Sequence, residues 1–179
     1  MKKLIIPIFS AAALAFSLNS CNLDRFPEDQ ITSETFWTSE RDALLGLNGI
    51  YSIIGDEAYT SWYNDAFADN AYAQYSWESS ATIASAGDIT ANNDFGYSWT
   101  TVRRANTFMS KIGDVSMDSQ KKERFIAEAK FLRALSYFNL AQTFGAIPLF
   151  EEPMPDKDKL APVPEKDVIA YVIQQLTEA

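Results

Sequence analysis

Apolar side chains recur every three or four positions over four stretches of this chain, which is the spacing of an amphipathic α-helix. The stretches begin near Thr38, Tyr97, Ser119 and Pro164. No part of the chain has the alternation of apolar and polar residues, bounded by turn residues, that would indicate a sheet of any size. The pattern therefore predicts a mainly α protein.

The first stretch opens at Thr38–Asp42, where Ser39 stands three residues before Asp42 as in a capping box. Gly55 is placed to close this helix. The inward positions between these two ends are Ala43, Leu44, Leu47, Ile50, Tyr51 and Ile54. The prediction is thus a helix that starts at a local polar cap and ends at a glycine.

The second helix is predicted over Tyr97–Ile112 and the third over Ser119–Phe144. Gly145 and Pro148 are stop signals for the third. Its predicted inward side chains are Phe125, Ala129, Leu132 and Leu135, widened by Phe131, Phe138 and Leu140. On the second helix they are Trp99, Val102, Ala105, Asn106, Phe108, Met109 and Ile112.

The segment Glu151–Pro164 holds four prolines and is predicted as a loop. A last helix follows from Pro164, with Val168, Tyr171, Val172 and Leu176 facing inward. Because its pattern runs to Ala179 without a cap, we expect this chain to be the front part of a longer protein, truncated at the C-terminus.

The first 21 residues are typical of an export signal. Lys2 and Lys3 precede an uncharged run, Leu4–Leu18, and the sole cysteine, Cys21, follows. Segment 1–20 is interpreted as a bacterial lipoprotein signal peptide and Cys21 as the lipid attachment site. The motif at the cleavage site is Leu18–Cys21, in which Asn19 is an unusual residue. The alternatives are a plain secretory signal or a membrane helix; the apolar run carries a proline and is shorter than the roughly 20 residues that a bilayer requires.

Composition narrows the chemistry of the remaining chain. The full sequence has a net charge of −9; without segment 1–20 it has 15 − 2 = 13 basic and 24 acidic residues, or −11. Such a charge disfavours nucleic acid as a partner. There is no histidine, and the one cysteine is assigned to lipid, so no metal site and no cofactor are predicted.

Candidate binding residues cluster in the excursion Tyr59–Asp94, where seven aromatic residues fall within 19 positions. Flat rings match the apolar face of a sugar, and neighbouring amides and carboxylates match its hydroxyl groups. The preferred ligand contacts are Trp62, Tyr72, Tyr75, Trp77, Asp69 and Asn70. The alternative is that the aromatic residues anchor a long loop to the helical body, and a weaker one is that Asp65, Asp69 and Asn70 hold calcium.

Charged residues of the third helix have a structural interpretation. Glu128, Lys130 and Arg133 are predicted to form ion pairs with neighbouring helices rather than a functional site. No nucleophile elbow, phosphate loop or dinucleotide fingerprint occurs in the sequence.

The segment Ile126–Leu140, followed by Phe144–Leu149, resembles the signature of the SusD/RagB family of surface lipoproteins. The resemblance is supported by Cys21–Asp24 with Pro27 and Phe36–Trp37, by Arg104–Asn106 on the second helix, and by Pro164–Leu176. It covers essentially all of segment 21–179, which is interpreted as an incomplete SusD-like N-terminal helical region.

The resemblance implies tetratricopeptide-like helix pairs with long loop excursions. It also implies a non-enzymatic protein, lipid-anchored at the cell outer membrane and exposed at the surface. Such a protein binds oligosaccharides, or peptides, and delivers them to a partner TonB-dependent transporter. Two alternatives stay open: a surface glycoside hydrolase that uses paired carboxylates, and a helical scaffold that contacts only protein partners.

Overall fold

A computed structural model of the protein describes residues 36–60, 65–75, 80–90, 92, 97–153, 155–156 and 160–179, with 56–60 described by their backbone alone. The chain divides into two units, Met1–Phe36 and Trp37–Ala179, and every described helix and strand belongs to the second. The predicted signal segment 1–20 and Cys21 lie outside the described residues.

The described residues form a mainly α structure, as predicted. They contain five α-helices and two short antiparallel strands, with Ile147 of the first strand opposite Val163 of the second. The elements are α1 Glu40–Thr60, α2 Ser80–Ala86, α3 Thr100–Lys111, a 3-10 turn Ile112–Asp114, α4 Ser119–Phe144, β1 Ile147–Pro148, β2 Pro162–Val163 and α5 Glu165–Glu178.

The predicted cap of α1 is confirmed. The backbone N–H of Ser39 donates to the Asp42 carboxylate at 2.9 Å, and the Asp42 N–H donates back to the Ser39 hydroxyl at 3.4 Å. Hydrogen bonding from the Ser39 hydroxyl is the main cause that lowers the pKa of Asp42. The predicted end of α1 is wrong, because the helix continues through Gly55 to Thr60. A glycine inside a helix costs only about 1 kcal/mol relative to alanine, which is too little to end the helix by itself.

The bounds of α4 agree with the prediction at both ends. Asp118 caps its start by accepting the Lys121 N–H at 3.0 Å. Gly145 ends it with a φ of 72°, a conformation that favours glycine, and donates its N–H to the Ala141 carbonyl at 2.8 Å. The neighbouring helix α3 begins at Thr100, three residues later than predicted, and Trp99 packs against the Tyr97 ring at 5.4 Å before the helix starts.

The core has two clusters that share α3 and α4. The first lies where α1, α3 and α4 meet; its largest fully buried members are Leu47, Ile50, Phe108, Ile112 and Leu132. The second lies where α3, α4 and α5 meet; its members include Val102, Tyr137, Ile147, Val168 and Val172. The helices therefore pack through two cores that share α3 and α4, which confirms the predicted helix-pair architecture.

Five side chains that were expected to face inward are exposed: Leu44, Tyr51, Phe131, Phe138 and Leu176. On α5 the buried position next to Leu176 belongs to Gln175, because its amide hydrogen-bonds to a buried arginine of α4. The apolar spacing of α5 alone could not reveal this partner. Among the described helices, none is both long enough and apolar enough to cross a bilayer.

Candidate functional site

The described part of the aromatic excursion presents its rings to solvent. Tyr72 is 78% exposed and Tyr75 is 49% exposed, and Phe67 is exposed as well. Ala73, between the two tyrosines, is buried. The segment is thus buried at its small side chain, whereas the rings beside it are accessible to solvent.

Polar groups accompany these rings. The Gln74 side-chain amide donates to the Tyr75 hydroxyl at 3.1 Å, and Asp69 and Asn70 are exposed nearby in the chain. Exposed rings with neighbouring amide and carboxylate groups can stack on a sugar ring and bond its hydroxyls. The other preferred contacts, Trp62 and Trp77, lie outside the described residues, so a shared surface for all six remains a prediction. In the part of the chain that is described, no group of three acidic, histidine or cysteine side chains could hold a metal ion.

A polar cluster with three buried members, Asn106, Arg133 and Gln175, lies next to Tyr171 of the second core, and we call it the Arg133 cluster. It consists of Asn106, Arg133, Glu151, Tyr171 and Gln175. The Arg133 guanidinium donates to the Asn106 side-chain oxygen at 2.7 Å, to Glu151 at 3.0 Å and to Gln175. It also lies 5.8 Å from the centre of the Tyr171 ring. The cluster links α3, α4, α5 and the loop that contains Glu151.

The predicted ion pair with a neighbouring helix is confirmed for Lys130, whereas Arg133 pairs with a loop residue and Glu128 pairs within its own helix. Lys130 pairs with Glu178 of α5 at 3.0 Å, and Arg133 pairs with Glu151 at 3.0 Å. Glu128 pairs within its own helix with Arg124, at 2.7 Å, and accepts the Tyr51 hydroxyl of α1 at 3.0 Å. What the sequence analysis missed is the bonding of Arg133, which is only 4% exposed, to the side-chain amides of Asn106 and Gln175. Its amide partners lie on other helices and give no local signal.

Tyr137 supports the same region from the core. Its hydroxyl donates to the Phe150 carbonyl at 2.8 Å and accepts the Phe150 N–H at 3.0 Å. One buried hydroxyl therefore satisfies both backbone groups of the residue that leads into the Glu151 loop. The loop cannot move without leaving buried polar groups without partners.

Replacing Tyr137 with phenylalanine is expected to lower the free energy of unfolding by about 2 kcal/mol, because two buried backbone groups lose their partner while the shape is kept. Urea denaturation would measure this loss. Tyr51→Phe is the matched control, since its exposed bond to Glu128 should contribute less than about 1 kcal/mol. Equal losses in the two variants would contradict the role given to Tyr137.

The same tyrosine predicts alkaline sensitivity. Burial raises the pKa of Tyr137 from 10.0 to about 12, and burial also raises the pKa of Tyr171. Between pH 10 and about 12, Tyr137 is deprotonated in the unfolded chain and still protonated in the folded one. The unfolded chain therefore binds fewer protons, and the free energy of unfolding falls as pH rises above 10. We expect the stability of Tyr137→Phe to fall less steeply with pH than that of the parent in the same titration.

The structure thus combines helix pairs with long loops, one of which exposes aromatic rings. A family model described as SusD-like, starch-binding and associating with the outer membrane matches residues 22–172. This match covers most of the chain. The protein belongs to the SusD-like family.

Individual relatives agree with this assignment. SusD-like protein P25 of Formosa agariphila is 25% identical over 86% of this chain. A laminarin-binding SusD-like protein of known structure is 28% identical over 79% of this chain, with a TM-score of 0.65, and a SusD-like protein from Bacteroides fragilis has the same fold at 22% identity over 87% of the chain, with a TM-score of 0.68. The chain covers 32%, 34% and 32% of these three proteins, respectively, or about a third of their length.

Proposed function

We propose that this protein binds oligosaccharides at the outer-membrane surface and delivers them to a partner TonB-dependent transporter, without catalytic turnover. The observation that carries the proposal is the match of residues 22–172 to a family described by starch binding and outer-membrane association. The similarity to a laminarin-binding protein supports a glycan as the ligand. Peptides are the alternative ligand class.

The exposed rings of the excursion are the proposed contacts. Tyr72 and Tyr75 offer apolar faces to solvent, and an aromatic ring that stacks on a sugar gains from burial of both surfaces. Asp69 and Asn70 are proposed to bond sugar hydroxyls. Trp62 and Trp77 are proposed to extend the same surface.

We expect Tyr72→Ala and Tyr75→Ala each to weaken binding of laminarin oligosaccharides by about tenfold, which corresponds to about 1.4 kcal/mol. Isothermal titration calorimetry on the full chain would measure this change. Tyr51→Ala is the control, because Tyr51 is also an exposed tyrosine but lies on α1. Unchanged affinity in both excursion variants would show that these rings do not contact the glycan.

The competing functions are tested on the same samples. New reducing ends after incubation with the glycan would support the glycoside hydrolase alternative. Retention of an outer-membrane barrel during purification, with no affinity for any glycan or peptide, would support a helical scaffold. Glycan binding without turnover is the result that the proposed function requires.

A further inference from the structure

A groove of about 460 Å³ lies between α1 and α3 and has not been used by the proposed function. Trp37 and Gly46 line one side of it. Four residues of α3 spaced as i, i+3, i+4 and i+7 line the other, and they are Thr100, Arg103, Arg104 and Thr107. This spacing places all four on one face of the helix. We call this cavity the Trp37 groove.

The groove has a local charge opposite to that of the protein. The whole chain has a net charge of −9, whereas the described residues that line the groove include two arginines and no acidic residue. Arginine stays charged at any physiological pH. The charged side chains that line the groove therefore attract an anion rather than a cation.

Arg104 is held in place at the edge of the groove. Its Nη1 donates to the Gly49 carbonyl of α1 at 2.7 Å. A guanidinium has five N–H donors in a planar fork, so this bond to the backbone uses only one of them. Beside it, the Thr107 hydroxyl donates to the Arg103 carbonyl at 2.9 Å, which orients that oxygen as an acceptor.

The aromatic side of the groove is also fixed. The Trp37 ring lies so close to Gly46 that a Cβ at that position would be 2.6 Å from the ring. On another side it meets Phe108 edge to face, with centroids 5.8 Å apart. A ring that is held from two sides loses little entropy when a ligand stacks on it.

We infer that the Trp37 groove binds an acidic sugar residue, with Trp37 against the sugar ring and Arg103 and Arg104 paired with its anionic group. A planar fork pairs well with either a carboxylate or a sulfate. The cavity volume lies within the range of small-ligand sites. The inference rests on the proposed function and adds oligosaccharides that contain an acidic sugar residue to its ligands.

The test compares three glycans by calorimetry on the full chain purified in detergent. They are oligogalacturonate, which carries carboxylates, a sulfated galactan oligosaccharide, and neutral laminarin oligosaccharide. We expect at least one anionic glycan to bind, and Arg103→Gln to weaken that binding by about tenfold or more. Arg104→Gln should do the same while retaining an N–H donor for the Gly49 carbonyl.

Arg41→Gln is the matched control, since Arg41 is an exposed arginine of α1 that does not line the groove. Equal affinity of the parent, Arg103→Gln and Arg104→Gln for the anionic glycan would overturn the inference. Binding of the neutral glycan alone would overturn it and leave the proposed function intact. Absence of binding to all three glycans would count against both.

Discussion

Replacing Arg133 with alanine is expected to lower the free energy of unfolding by about 3 kcal/mol, which is the range for breaking a buried charged network. Arg133 is buried and supplies donors to Asn106 of α3 and Gln175 of α5, both of which are buried too. The alanine variant leaves those two acceptors without partners and opens a cavity between three helices. The midpoint of urea denaturation would measure the loss.

Arg124→Ala is the matched control on the same helix. The side chain of Arg124 is 72% exposed, and its i,i+4 pair with Glu128 should contribute about 0.3–0.5 kcal/mol. Arg133→Lys separates charge from geometry, because an ammonium group cannot reach three acceptors with a planar fork. We expect the lysine variant to lose most of the stability that alanine loses. Equal effects of Arg124→Ala and Arg133→Ala would show that the Arg133 cluster does not hold the helices together.

Cys21→Ser is expected to abolish incorporation of labelled palmitate and to release most of the protein from the membrane fraction. Each buried methylene of an acyl chain contributes about 0.8 kcal/mol, and attachment by more than one chain is effectively permanent. The variant loses every chain at once. Metabolic labelling followed by membrane fractionation would measure both changes.

Ser20→Ala tests whether any substitution near the signal-peptide cleavage site also abolishes palmitate labelling. It alters the residue before Cys21 but keeps the thiol and a small side chain, so labelling should persist. Two results together would contradict the lipid anchor. The parent protein would incorporate no labelled palmitate, and the Cys21→Ser variant would stay in the membrane fraction like the parent.

The helix bounds show which features were predictable. The cap of α1 depends on Ser39 and Asp42, three positions apart, and the end of α4 depends on Gly145. Both are local and therefore visible in the sequence. The end of α1 was misplaced because a glycine that can close a helix can also continue one, and only the packed structure decides between them.

The exposure of the candidate ligand-binding residues, by contrast, was not predictable from the sequence. The sequence indicated that aromatic residues of the excursion either bind or anchor, and composition could not decide. The structure exposes Tyr72 and Tyr75 and buries Ala73, an arrangement that depends on how this segment lies on the helices. The Trp37 groove had no sequence signal, since Trp37 and Arg103 are far apart in the chain.

By itself the sequence located the four longer helices, because helical periodicity and caps are local, and short motifs led to the family and to the prediction of a lipid anchor. Only the tertiary structure decided the Arg133 cluster and the Trp37 groove. Arg133 lies 27 positions from Asn106 and 42 from Gln175. Helical periodicity reports which face of a helix is apolar, whereas the partner of a buried polar group depends on which helices pack against that face.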